Sequence, residues 1–155
     1  MVPGDDARAP SGTPRHAPEG SDAARGLVVD LRFRADDPQQ AVLLLGRLRE
    51  AVGVLSAFDG FIDGVVGRAT DDGLLLMVAL SWRAVGDYRR ALSSYDVKVS
   101  VVPLLSTAVD EPSAFEVLHE RDSAGSRDAA GALAEDAGRV SLGSAAAPFV
   151  PPLPS

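Results

Sequence analysis

Strict alternation of apolar and polar residues marks where folding begins. Leu27, Val29, Leu31 and Phe33 interleave with Val28, Asp30, Arg32 and Arg34. A period of two puts four apolar side chains on one face and predicts a strand. Asp36 and Asp37 can then cap a helix, and Pro38 suits its first position. From there Ala41, Leu44, Leu45, Leu48, Val52 and Leu55 recur at helical spacing, with Gln40, Arg47, Arg49 and Glu50 off that stripe. This helix ends between Ser56 and Gly60. Phe61 to Ala69 reads as a second strand, weakened by Gly64 and Gly67. Thr70 to Gly73 reads as a hairpin turn. Leu74 to Trp82 is the strongest strand signal. Leu74, Leu76, Val78, Leu80 and Trp82 share one face; Leu75, Met77, Ala79, Ser81 and Arg83 share the other. Both faces are largely apolar, so both should be covered. Helices cover only one, and the second therefore implies a partner sheet and a dimer.

Val85 to Ser94 has helical spacing. Asp96 to Val102 is ambiguous. Its alternating, β-branched residues favour a strand by local propensity, while Val97, Val101, Leu104 and Leu105 also line one helical face. Pro103 should bend or restart any helix there. Asp110 to Pro112 is a break, and Ser113 to Glu120 closes the run as a strand through Phe115 and Val117.

The flanks carry no such pattern. Residues 1–25 hold almost no bulky apolar side chain. Of residues 121–155, 22 of 35 are Ala, Gly, Ser or Pro. Neither segment can bury enough surface to offset its ordering entropy, so both are expected to be disordered tails. The final stretch favours polyproline II. Phe149, Val150 and Leu153 could make it a docking peptide, although an unstructured terminus accounts for it as well. The folded domain is thus residues 26–120, a core whose small size dimerisation would help.

Composition narrows the partners. A net charge of −7 repels phosphate backbones, and 5% aromatics offer little surface for base stacking, so no nucleic acid is expected. The absence of cysteine excludes disulfides and thiolate metal sites. No apolar leader opens the chain and no apolar run could span a bilayer, which points to a cytoplasmic protein without a membrane. The Ala, Gly, Arg and Asp bias resembles that of high-GC actinobacterial proteins.

Four short features occur in a telling order. Asp36-Asp-Pro38 opens the first helix, and Phe58-Asp-Gly-Phe61 leads into the second strand. Trp82 ends the long strand, and Ala114-Phe-Glu-Val-Leu118 lies in the closing strand. In this order they resemble the antibiotic biosynthesis monooxygenase family, over the whole core and neither tail. The resemblance implies an α+β, ferredoxin-like β-α-β-β-α-β domain that pairs as a dimeric α/β barrel. It also resolves the ambiguous segment 96–105 as a continuation of the second helix. The implied activity is oxygenation of a polycyclic aromatic, polyketide-type substrate in bacterial secondary metabolism. Cofactor-free relatives let the substrate supply the electrons, and others accept reduced flavin, which the resemblance leaves open. The alternative is a non-catalytic dimer of the same fold, a small-molecule-binding or accessory module.

Trp82 faces the helices by parity, as a core anchor or as a pocket wall against an aromatic substrate. The family's Asn four residues before such a Trp is replaced here by Val78. Tyr88, Arg89 and Tyr95, on or after the second helix, could bind a quinone or enolate oxygen, or could line a solvated face. Arg68 and Arg83, at strand ends, are pocket-rim candidates. Asp30 and Arg32 should pair if their face is covered. Haem-degrading relatives need a histidine on the second helix, and Gly86 to Leu105 has none. His16 and His119 cannot form a metal cluster, so none is expected. No phosphate loop, nucleotide fingerprint or nucleophile elbow occurs.

Overall fold

The computed structural model describes residues 23–130. The tail expectations for residues 1–22 and 131–155, including the Phe149 to Leu153 segment, lie outside the described residues. The elements are β1 (Leu27–Arg34), α1 (Pro38–Leu55), β2 (Phe61–Arg68), β3 (Leu75–Trp82), α2 (Val85–Ser93), α3 (Tyr95–Ser100), α4 (Val102–Leu105), β4 (Ala114–Glu116), β5 (His119–Arg121) and β6 (Ser126–Asp128). Strands β2-β3-β1-β4 form one sheet, antiparallel throughout, with the helices on one face. This is the expected ferredoxin-like α+β layer.

Local chemistry accounts for the first crossover. The Asp37 carboxylate accepts from the Gln40 backbone N–H at 2.7 Å, and the Gln40 side chain accepts from the Asp36 N–H at 2.5 Å. These reciprocal bonds satisfy donors that a helix start leaves orphaned, and Pro38 needs none. Leu48, Ala51 and Leu55 of α1 then bury against Leu27, Val29, Leu31 and Phe33 of β1 and Leu76, Val78, Leu80 and Trp82 of β3. Alternation along both strands thus delivers one continuous apolar face.

The segment with strand-like propensity is helical. The Ser94 hydroxyl caps α3, and Val97, Val101 and Leu104 are buried while Val99 is exposed. Burying each such side chain contributes about 1.5–3 kcal/mol. That outweighs helix-propensity penalties of a few tenths each for β-branched residues. The break at Val101 and the restart at Val102, just before Pro103, follow the proline.

The chain's closing part differs from the sequence reading. The strand expected over Ser113 to Glu120 pairs with β1 only from Ala114 to Glu116, where β1 itself ends. Val117 N–H still reaches the Gly26 carbonyl at 3.1 Å. Beyond it the chain turns away and β5 pairs with β6 as a separate hairpin. Residues 121–128, read as tail from their composition, therefore belong to ordered structure. The Asp122 carboxylate accepts from the Ala124 and Gly125 N–H groups and makes the turn. Cross-strand side-chain contacts hold the arms: Arg127 pairs with Glu120, and His119 Nδ1 lies 2.6 Å from Asp128 Oδ1. Arg25 ties this hairpin to the sheet, donating to Glu120 and to Asp63, each at 2.6 Å.

The sheet's other face is open in the single chain. Val28, Asp30 and Arg32 of β1, Val65 of β2, Met77 and Ala79 of β3 and Phe115 of β4 lie there by register. Val65 is 58% and Phe115 50% exposed. Asp30 and Arg32 do not pair. Arg32 approaches Glu111 at 3.6 Å instead, and the buried Asp30 Oδ1 has no partner. Neighbours two apart on one strand face point in parallel, and Glu111, in the loop before β4, approaches the guanidinium from its Nε side.

Candidate functional site

Two places between sheet and helices could host chemistry, at opposite ends of β3. At its C-terminal end Trp82 is fully buried. Phe61 meets it edge-on with ring centroids 5.3 Å apart, and Tyr88 lies against it at 5.5 Å, tilted by 51°. The indole Nε1 is buried and finds no hydrogen-bond partner among the described residues. Burial raises the Tyr88 phenol above its ordinary pKa, so the phenol stays neutral. No described cavity opens onto Trp82, and packing accounts for its surroundings.

Beside this cluster Asp87 is buried in the first turn of α2. Its carboxylate accepts from Arg83 at 3.1 and 3.3 Å and from Arg90. The Arg83 hydrogen bonds hold the carboxyl below the usual range; burial pushes it back up, and Arg90 adds to the lowering. The helix N-terminus is a further favourable place for the charge. Gly60, at φ 85°, passes directly over this group: a Cβ there would sit 2.3 Å from Asp87 Oδ2. Arg83 is thus engaged in a structural cluster. Arg89 and Tyr95 are solvent-facing, Tyr95 at 79% exposure, and neither lines a described cavity.

At the other end of β3 lies a cavity of about 610 Å3. Its walls are Pro38, Ala41, Val42, Leu45 and Arg49 from α1, Val66, Gly67 and Arg68 from β2, and Gly73, Leu74 and Leu76 beyond the turn. The sequence explains its shape. At Gly64 a Cβ would come within 2.7 Å of Val52 Cγ1, so the missing side chain lets the C-terminal half of α1 press onto the sheet. Towards its N-terminal half α1 presents small Ala41 and half-buried Leu45, and the space is not filled. The volume falls within the range of small-ligand sites.

Of the six candidates the structure brings Trp82 and Tyr88 together, ties Arg83 to Asp87, and places Arg68 alone on the cavity. Arg68 pairs in register with Leu76 and shares the helix-side parity of Val66. Arg49, Val42 and Asp87 escaped the sequence reading. Val42, Leu45 and Arg49 recur at spacings of three and four, a second stripe masked by the stronger apolar one. Asp87 could have been flagged by arginines four residues before it and three after it. Among the described residues no group of acidic, histidine or cysteine side chains could hold a metal ion, and no helix is long and apolar enough to cross a membrane.

No family model matches the chain, and no curated protein matches its sequence. Solved structures do match its fold. A protein from Bacteroides thetaiotaomicron, described as a conserved protein of unknown function and possible oxidoreductase, is 12% identical with a TM-score of 0.52, covering 61% of this chain and 100% of the other. A conserved protein from Methanosarcina mazei Go1 is 17% identical with a TM-score of 0.50, over 61% and 93%. A Deinococcus radiodurans protein, provisionally assigned as an antibiotic biosynthesis monooxygenase, is 17% identical with a TM-score of 0.50, over 59% and 91%. The share of this chain covered is close to the length of its ferredoxin-like domain. The chain has the fold of the antibiotic biosynthesis monooxygenase family.

Proposed function

We propose that the protein is a cytoplasmic homodimer that oxygenates a polycyclic aromatic, polyketide-type substrate in bacterial secondary metabolism, without a cofactor. The observation that carries this reading is the largely apolar cavity of about 610 Å3 between α1 and the sheet, in a domain with the monooxygenase fold. Such a volume accommodates a fused-ring ligand. For an anthrone-type probe the balance is simple. The activated CH2 loses its two hydrogens, and one atom of O2 becomes the new ketone oxygen. The other atom leaves as water, and the substrate supplies all the electrons. The chain's part is to hold the rings and exclude water while the acidic proton departs. Arg68 is the sequence candidate placed to touch such a substrate. Trp82 and Tyr88 support the far end of β3. The dimer rests on the apolar outer face around Val65 and Phe115.

A second reading is favoured by one specific observation: among the described residues no carboxylate, histidine or tyrosine lines the cavity. A site without a general base suits a module that binds the aromatic and does not turn it over. O2 uptake by the purified protein with anthrone, with and without reduced flavin, separates the readings. Uptake above the protein-free rate without flavin supports the proposal, and uptake only with flavin corrects its cofactor. Binding without uptake in either arm supports the binding module.

A further inference from the structure

We infer that the cavity between α1 and the β2–β3 turn is built for an aromatic ligand bearing a carboxylate, which Arg49 and Arg68 grip together. The inference rests on reading that cavity as the ligand site, and adds the chemical class of the ligand's polar group.

Among the described residues Arg49 and Arg68 are the only charged ones lining the cavity, and they come from opposite walls, one on α1 and one at the end of β2. Neither forms an ion pair within the described residues. Among the described arginines, Arg25, Arg32, Arg34, Arg83, Arg90 and Arg127 find carboxylates; Arg47, Arg89 and Arg121 do not either, but of these five only Arg49 and Arg68 line this cavity. The nearest acid in sequence to the cavity's glycine turn is already used: Asp72 accepts from Arg34 at 2.8 Å and from the Leu74 N–H at 3.0 Å. So two cations face a space lined otherwise by Ala, Val, Leu, Pro and Gly, with no anion among the described residues lining it. The guanidinium fork matches a carboxylate's two oxygens, and such charge-assisted pairs strengthen where water is displaced. The apolar walls take the rings. A phosphate would call for a cradle of backbone donors, and the lining includes no helix N-terminus facing it other than Pro38, which has no N–H.

The test uses the full chain and two neutral-bodied probes, anthraquinone-2-carboxylate and anthraquinone-2-carboxamide, titrated calorimetrically. The acid should bind about tenfold or more tightly than the amide, the size expected of a hydrogen-bonded charge. Arg49→Gln and Arg68→Gln should each shrink that ratio. The double variant should bind both probes alike. Gly73→Leu should weaken both probes, because Gly73 lines the cavity and a Cβ there has open space for a side chain to occupy. An acid no tighter than the amide in the parent would overturn the arginine grip and leave the aromatic site standing. A preference that survives in the double variant would place the anion elsewhere, and overturns it too. If neither probe binds, or Gly73→Leu changes nothing, the cavity reading falls and this inference with it.

Discussion

Replacing Trp82 separates the cost of an empty space from the cost of an unsatisfied donor. The side chain is fully buried between Phe61 and Tyr88, and its Nε1 has no partner. Trp82→Phe removes roughly 40 Å3, which at about 24 cal/mol per Å3 costs about 1 kcal/mol, with a lost-transfer contribution of similar size. Against this, the buried indole N–H without a partner costs the parent about 1–3 kcal/mol, which the variant regains. The opposing effects are comparable, so Trp82→Phe is expected within about 1 kcal/mol of the parent, whereas Trp82→Ala should lose about 3–5 kcal/mol. Trp82 is the only tryptophan, so urea unfolding of parent and variants is followed by far-ultraviolet circular dichroism at comparable m values. A loss above about 2 kcal/mol for Trp82→Phe would show that the indole N–H is bonded in the native protein. The same variant tests the site. Trp82 does not line the cavity, so turnover and ligand affinity should persist, and a tenfold fall with stability intact would place Trp82 against the ligand.

Four shorter tests address the frame. Gly60→Ala should cost about 2 kcal/mol or more, from the positive φ and the clash with the Asp87 side chain, whose own Cβ is among the clashing atoms, and less in an Asp87→Gly background; an equal loss in both backgrounds would refute the clash. Asp87 is held below the ordinary carboxylate pKa, so its contribution is full above the unfolded value of about 3.9 and is lost as pH falls through the lower folded value. Asp87→Asn should therefore show a smaller stability loss than the parent between pH 5 and pH 2, checked by urea midpoints, and parallel curves would refute the assignment. Arg25→Gln should speed amide exchange across residues 119–128 with little change in the core, since it unfastens the hairpin from Asp63 and Glu120; unchanged exchange there would show that the hairpin holds itself. Val65→Glu should leave a single chain's stability within about 0.5 kcal/mol but convert a micromolar dimer to monomer on sedimentation, and a parent that sediments as a monomer would end the dimer proposal.

Most of the layer could be read from periodicity, because burial on one face imposes it. Leu27 to Phe33 and Leu76 to Trp82 alternate as the core requires, and Asp37 with Pro38 announces α1. Segment 95–105 was harder. Its β-branched residues carry a strand signal, and only the packing of Val97, Val101 and Leu104 decides for helix. The hairpin after β4 was hidden for a different reason. It buries almost nothing, and polar contacts such as His119 with Asp128 and Arg127 with Glu120 leave no apolar pattern to detect. At the site, Arg68 was legible as a strand-end cation. Arg49 was not, because its stripe with Val42 and Leu45 faces a void, and periodicity reports contact with a core.

That void has a cause within the sequence, and the cause links stability to function. Gly64 admits Val52, so α1 is fixed to the sheet at its C-terminal half, where Leu48, Ala51 and Leu55 are buried. The Asp87 cluster and the Trp82 aromatic group fasten the same end of β3. At the other end Gly73 leaves open space, and Val42 stays 70% exposed in the cavity wall. A protein selected for packing alone would fill that end, since an apolar side chain entering it would gain about 25 cal/mol for each Å2 of apolar surface withdrawn from water. Two arginines without an ion pair among the described residues, facing unfilled apolar walls, are instead what the inferred ligand would answer: its rings would supply the missing burial, and its anion the missing partner.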